Sequence, residues 1–371
     1  MSADEVGNEL VDSLSTWHET DHPQRLKALP KDYFSWGRDK RHQQEDTEKL
    51  DVVPGLENAK SLLRSAYRFF KYFSIGYTAK LGKYETFNTS YLLMSNSESR
   101  ELFSELLVMQ MLGEERFRLS IFDHSVVTSY EEASSEILAS EESLSMYGWV
   151  LKRIDFSRPY FSVFTTPVLA SLVNQGKAYR YSRNGVEIGI DEKDIVIDCG
   201  VGWGDTTIYF AAATGSEGAV HSFDVLKEGL DALQSQLDIN PSIKNVTSVL
   251  SAVSNVDGED VYISSLGPGS HITTARTGRA VKTVTLDSYV EFNELSSVDF
   301  IKMDIEGAEI PALHGARKTI RKFKPRLAIS VYHRWDDLRE IPQLISTFRD
   351  DYSFYLDCTT GFGGEAVLYC R

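Results

Sequence analysis

Cysteine is scarce in this chain of 371 residues: only Cys199, Cys358 and Cys370 occur, with no CxxC spacing. So few scattered thiols imply neither a disulfide framework nor a zinc site, and a reducing cytoplasm is the expected setting. Basic charge is also in short supply. Lys and Arg number 39 against 54 Asp and Glu, a net charge of −15, and such a field repels a nucleic-acid backbone. The densest basic run, "ARKTIRKFKPR" at 316–326, reads as a helix end whose cations complement the dipole ahead of Pro325, so no nucleic-acid partner is expected. Long apolar runs are missing as well. Nothing approaches the roughly 20 residues that span a bilayer. The opening "MSADEVGNELVDSLSTW" has no basic start and no apolar stretch, and is not expected to act as a signal peptide.

What is present suits a globular protein. Hydrophobic residues make up 42% and charged residues 25%, ample for a core, and the length suggests two domains. Residues 1–55 are polar, with "RDKRHQQEDTEK" at 38–49 a solvated segment. Ala59, Leu62, Leu63, Ala66, Tyr67, Phe69, Phe70 and Phe73 recur at helical spacing, and Leu102, Phe103, Leu106, Leu107, Met111 and Leu112 mark a second helix capped by Ser97. "SYEEASSEILASEESLS" at 129–145 reads as an exposed helix or a linker, and the aromatic "RPYFSVFTTPVLASLV" follows. These patterns predict a mainly helical N-terminal domain over 1–177, expected to shape an acceptor site or a homodimer interface.

From about residue 180 the rhythm changes. "DIVIDCG", "GAVHSFD", "VTSVLSAVS", "VDFIKMDIEG" and "RLAISVYH" are short apolar strands. Helices are expected from Thr206, from Lys227, over 308–323 and near 337–349, with hairpin-like pieces between 260 and 290. Strands alternating with helices predict an α/β domain over 178–371 with a doubly wound, mostly parallel, Rossmann-like sheet. "FYLDC" and "EAVLYC" lie too close together for a helical crossover and are expected to form an antiparallel last pair.

The stretch "DIVIDCGVGWGDTT", 194–207, ends a strand in Gly200, Gly202 and Gly204 and opens a helix whose free N–H groups can meet a ligand. Asp224 closes the next strand, 20 residues after Gly204, where a carboxylate can hold ribose hydroxyls. Together they point to a nucleoside cofactor. In the dinucleotide fingerprint the third small residue would fall on Asp205, where a carboxylate would oppose a pyrophosphate. An amine-bearing ligand suits it better, and S-adenosylmethionine carries an amine, a carboxylate and a ribose but no phosphate. Asp198 points the same way; helix capping is the competing role for Asp205. Thr206 and Ala252 complete the expected cofactor contacts. A methyltransferase is therefore preferred to a dehydrogenase, and the class I methyltransferase strand order, with its antiparallel end, matches the C-terminal pair.

"DFIKMDIEGAE", 299–309, places Asp304 at the carboxyl end of the fourth strand, with Glu306 and Glu309 behind it. Ligands of open α/β sheets bind outside the carboxyl ends of the strands, so Asp304 and Glu306 should face the methyl donor while Glu309 caps the helix. Methyl transfer to a hydroxyl needs positioning and removal of a proton. Asp304, Glu306 and His333, at the end of its own strand, are the catalytic candidates, and crowding of the two carboxylates is expected to raise one pKa. The same three groups could hold a divalent metal, an alternative ranked below direct base catalysis.

These residues carry a resemblance. The segment of about 178–371 resembles the FkbM family of S-adenosylmethionine-dependent methyltransferases in "DIVIDCGVGWGDTTIYFA", "GAVHSFDV", "LDINPSIKNV", "TVTLDSYV", "VDFIKMDIEGAEIPALHGARKTI", "KPRLAISVYHRWDDLREIP" and "EAVLYC", with "KMDIEGAE" the most specific. The resemblance implies O-methylation of a hydroxyl on a sugar, glycan or natural-product acceptor. It sets the cofactor's glycine loop on Gly200–Gly204, its ribose acid on Asp224 and the family's asparagine after the second helix on Asn240. Three features depart from the pattern. Asp224-Val225 stands for Glu-Pro, Val201 and Trp203 are larger than usual, and no histidine lies near Cys358. The alternatives are a catalytically silent nucleoside-binding module, disfavoured by the retained acids and glycines, and an NAD-dependent oxidoreductase.

Overall fold

The computed structural model describes residues 80–112, 119–120, 124–263, 270, 272–273, 278–360 and 364–371. The expected helix over 59–73 and the charged segment at 38–49 lie outside these residues. The chain divides into two compact units, residues 1–123 with 358–366, and 124–357 with 367–371. The boundary expected near 178 does not coincide with that division, because 124–177 packs within the larger unit. No helix among the described residues is long and apolar enough to cross a membrane.

In the first unit, α1 is Lys80–Leu93 and α2 is Ser97–Leu112. Leu102, Phe103, Leu106 and Leu107 are buried, as the helical spacing predicts. The cap is one residue earlier than expected: Asn96 Oδ1 accepts the Ser99 N–H at 2.9 Å, the side-chain bond that defines an N-cap.

The second unit opens with α3, His124–Ala139, and then three antiparallel strands: β1 (Ser143–Met146), β2 (Trp149–Ser157) and β3 (Tyr160–Thr165). Helices dominate the described residues before 178, as expected, and these three strands are an addition to them. Every residue of β3 after Tyr160 is buried, so the stretch has no alternation by which a strand announces itself. Next come α4 (Pro167–Asn174) and a small hairpin of β4 (Tyr181–Arg183) and β5 (Val186–Ile188).

The expected alternation then appears: β6 (Ile195–Cys199), α5 (Asp205–Thr214), β7 (Ala219–Asp224), α6 (Lys227–Asp238) and β8 (Val246–Leu250). A four-stranded excursion of β9 (Ala252–Val253), β10 (Asp260–Ile263), β11 (Ile272–Thr273) and β12 (Arg279–Val284) leads to α7 (Leu286–Phe292). The chain returns as β13 (Phe300–Met303), α8 (Glu309–Gly315), α9 (Arg317–Phe323), β14 (Arg326–Ser330), α10 (Asp337–Phe348), β15 (Phe354–Cys358) and β16 (Ala366–Cys370). The helix expected over 308–323 is thus broken in two. The main sheet has seven strands in the order β15-β16-β14-β13-β6-β7-β8. Strands β14, β13, β6, β7 and β8 are parallel. Strand β16 runs antiparallel to β14, and Ser353 and Arg371 exchange N–H···O bonds of 2.9 and 3.1 Å, the signature of an antiparallel pair. This is the class I methyltransferase architecture.

Burial on both sides of β6 sets the sheet in place. Tyr181, Val196, Phe210, Val220 and Phe300 form one apolar cluster. Phe161, Val163, Val201, Ile208 and Leu233 form another, which brings β3 onto α5 and α6. The carboxyl ends of β6, β7 and β13 are left to carry the chemistry.

Candidate active site

The glycine loop is held from two sides. Gly200 has φ +92°, and a Cβ there would lie 2.0 Å from the Asp304 carbonyl oxygen, so the carboxyl ends of β6 and β13 meet through backbone alone. Gly204 has φ +81°, and its Cβ would come within 2.7 Å of Leu233 Cα on α6. Asp224 binds the loop between them. Its Oδ2 accepts the N–H groups of Val201 and Gly202, both at 3.1 Å, and its Oδ1 accepts Leu226 N–H at 2.8 Å. Burial raises its pKa against the lowering effect of these backbone donors. The turn between β1 and β2 reaches this corner. Trp149 lies against Trp203 at 5.7 Å between ring centroids, and the Tyr147 hydroxyl is buried without a hydrogen-bond partner. Burial, then the charges of Asp224 and Glu228, push that hydroxyl above its ordinary pKa. The sequence reading missed this turn because it read the surrounding stretch as helix or linker.

Several residues expected around the cofactor are engaged inside the protein instead. Asp198 is fully buried, 3.2 Å from the Lys302 ammonium and accepting the Thr207 hydroxyl at 2.6 Å. Asp205 is buried too. One of its oxygens accepts the Thr165 hydroxyl at 2.5 Å and the other the Thr206 N–H at 2.9 Å. Both carboxylates, expected at a cofactor amine, thus have partners within the protein. Asn240 accepts Ser162 N–H at 2.8 Å and donates to Ser162 and Gln236 carbonyls at 2.6 and 2.7 Å, so its amide fastens β3. Ala252 is fully buried in β9, and Thr206 is half-buried in the first turn of α5.

Lys302 is the residue that motif reading passed over. It stands opposite Asp198 in the register of β13 and β6. It donates to the Cys199 carbonyl at 3.1 Å and to the Gly200 carbonyl, and lies over the Tyr179 ring at 5.4 Å. Burial alone would lower its pKa, but Asp198 and then Asp304 raise it above the ordinary lysine value. A buried ammonium thus ties the glycine loop to the acid cluster beside it. The available signal was a lysine amid buried apolar residues of a central strand, which needs a counter-ion.

Asp304, Glu306 and His333 do come together. His333 Nε2 lies 3.3 Å from Asp304 Oδ1 and 3.7 Å from Glu306 Oε2. Asp304 also accepts the hydroxyls of Tyr179 at 2.9 Å and Tyr332 at 3.2 Å, two partners that motif reading missed. Glu309, expected only to cap its helix, joins the cluster: Oε1 accepts Ile305 N–H and pairs with His333 Nδ1, each at 2.9 Å. Glu306 has φ +56°, an uncommon conformation for a side-chain-bearing residue and a strain met at functional sites.

Charge in this cluster differs from expectation. Burial alone would lower the His333 pKa, but Asp304 and Glu309 push it up to about 11. Burial would raise Asp304, but His333, Lys302 and Tyr179 outweigh it and hold the carboxyl well below the usual range. Neutral pH therefore finds an imidazolium between carboxylates. His333 is not a free base, and of the two carboxylates expected to have one pKa raised by crowding, Asp304 is lowered.

Residues 193–354 match the family model for the methyltransferase FkbM domain. A search of curated proteins finds no match. Among solved structures, the methyltransferase FkbM of Methylobacillus flagellatus KT aligns at 20% identity with a TM-score of 0.49, covering 77% of this chain. The chain spans 58% of the length of that protein. Aeropyrum pernix fibrillarin, solved with natively bound S-adenosyl-L-methionine, aligns at 10% identity and TM-score 0.32 over 49% of this chain and 67% of its own. The Methanococcus jannaschii fibrillarin pre-rRNA processing protein aligns at 13% and 0.36 over 63% and 82%.

Proposed function

We propose that this protein is an S-adenosylmethionine-dependent O-methyltransferase whose acceptor is a hydroxyl of a small molecule or glycan. The observation that carries the reading is the FkbM domain match over 193–354, laid on a glycine loop that wraps the Asp224 carboxylate. A carboxylate has about four acceptor positions, and three backbone donors occupy Asp224 here. The remaining position faces a ribose hydroxyl, with the adenosine beside the loop and the sulfonium toward β13.

Transfer is an in-line displacement. The acceptor oxygen forms a bond to the methyl carbon as the carbon–sulfur bond breaks, S-adenosylhomocysteine leaves, and the hydroxyl proton passes to a base. Glu306 is the base in this reading. It is the most exposed carboxylate of the cluster, at 22% of its side chain, whereas Asp304 is held at low basicity and His333 already carries a proton. A positioned base contributes roughly 10²–10⁴-fold. The imidazolium, 3.7 Å away, keeps Glu306 in place and balances its charge. Three buried free thiols suit a reducing cytoplasm.

Calorimetric titration with S-adenosylmethionine tests the cofactor. Asp224→Ala should weaken binding by about 1.5–3 kcal/mol, the scale of a hydrogen bond to a charged group; unchanged affinity removes Asp224 from the site. Labelled cofactor incubated with fractionated extract tests the chemistry. Glu306→Gln should bind cofactor as the parent does and lose methyl transfer. Cofactor binding without transfer to any hydroxyl-bearing fraction would favour the silent binding module.

A further inference from the structure

We infer that His333, Asp304 and Glu306 form a binding site for one divalent cation, with Glu309 orienting the imidazole. Nδ1 of His333 is bonded to Glu309 Oε1 at 2.9 Å. The Glu309 side chain is fully buried and its position is fixed by the Ile305 N–H it also accepts. With the Nδ1 N–H directed to Glu309, Nε2 faces the opposite side, where a metal ion would replace the proton it carries at neutral pH. There Nε2 meets Asp304 Oδ1 at 3.3 Å and Glu306 Oε2 at 3.7 Å. The His333 side chain is 6% exposed, and Nε2 makes no hydrogen bond. A buried nitrogen aimed between two carboxylate oxygens, with its ring held from behind by a third carboxylate, is the carboxylate–histidine–metal arrangement.

The spacing fits an ion. Ligand atoms about 2.0–2.1 Å from a metal stand about 3.0 Å apart at octahedral right angles and about 3.4 Å apart in a tetrahedron. The separation of Nε2 from Asp304 falls in that interval at 3.3 Å, and Oε2 of Glu306, the least buried of the acids, lies just outside it at 3.7 Å. The Tyr179 and Tyr332 hydroxyls hold the Asp304 carboxylate as Glu309 holds the imidazole. One imidazole and two carboxylates suit Mn²⁺, Fe²⁺ or Zn²⁺ better than Ca²⁺. A proton is the competing occupant of Nε2, serving the same carboxylates. The site lies at the carboxyl ends of β13 and β14, where a coordinated acceptor hydroxyl would be polarised. The inference is independent of methyl transfer, since cation binding is read on the protein alone.

The test uses the full chain, stripped with chelator and titrated with MnCl₂ while the electron paramagnetic resonance of free Mn²⁺ is followed; ZnCl₂ calorimetry is the second probe. The expected result is one Mn²⁺ per chain. Affinity should fall at least tenfold in His333→Gln and Asp304→Asn, and about 10–100-fold in Glu309→Gln through loss of ring orientation. Glu306→Gln, at the most exposed position of the cluster, decides the matter if a buried variant fails to fold. No stoichiometric site for either ion at millimolar concentration overturns the inference, as does a site indifferent to Glu306→Gln. A chain that binds S-adenosylmethionine but neither ion overturns the cation alone.

Discussion

Lys302 and Asp198 face each other across β13 and β6, each with 3% or less of its side chain exposed. Removing one partner of such a pair strands the other charge at a cost of about 3–5 kcal/mol, whereas replacing both with apolar groups is often nearly neutral. Lys302→Ala should therefore lower unfolding free energy by that amount in urea denaturation, and Lys302→Met with Asp198→Leu should recover much of it. His333 sets a pH dependence. Its folded pKa is raised from 6.5 to about 11, so its stabilising contribution is complete below the unfolded value and is lost as pH rises through the folded one. The midpoint of thermal unfolding should decline as pH rises from 6.5 to about 11, and His333→Asn should flatten that slope. Gly200→Ala should destabilise by about 1–3 kcal/mol from its positive φ alone, and by more because the added carbon meets the Asp304 carbonyl; chemical denaturation measures it.

At the scale of elements, the edge of β3 is the informative case. Ser162 and Phe164 are alternate residues whose outward backbone groups would otherwise lie open. The Asn240 amide bonds Ser162, and the Gln236 amide accepts Phe164 N–H at 2.9 Å and donates to its carbonyl at 2.7 Å. Side-chain amides thus close an exposed strand edge. Asn240→Ala should cost about 1–3 kcal/mol and speed amide hydrogen exchange in β3 before the main sheet is affected. Strands β6, β7, β13 and β14 were legible because each is a short apolar run bounded by turn residues and helices. β2 and β3 were not, since burial of every β3 residue after Tyr160 removes alternation and 158–173 carries aromatic residues that serve helix and strand alike. The paired helices α8 and α9 read as one because their break at Ala316 carries no proline.

For the whole molecule, the cluster of Phe161, Val163, Val201, Ile208 and Leu233 makes the first strands part of the domain that bears the glycine loop. A chain beginning at residue 178 would expose the faces of α5 and α6 that β3 covers. It should lose the cooperative thermal transition seen by circular dichroism for the full chain; a sharp, unchanged transition would show that these strands are dispensable. Sequence reading placed this boundary by the onset of strand–helix alternation, which marks where a parallel sheet begins and not where its packing ends.

The sequence by itself determined the doubly wound sheet, the antiparallel last pair, the glycine turn, Asp224 at the end of β7, and the clustering of acids after β13. All of these follow from local patterns: apolar period, glycine where the backbone must turn, and a carboxylate at a strand end. Only the tertiary structure decided the partners. Asp198 and Asp205 are close in sequence to the glycine loop, yet one faces Lys302 across the sheet and the other faces Thr165 on β3. Glu309 and His333 lie on different elements and meet at 2.9 Å. Whether a carboxylate meets a ligand or an internal partner depends on which distant strand arrives beside it, and strand order is set by packing of the whole sheet.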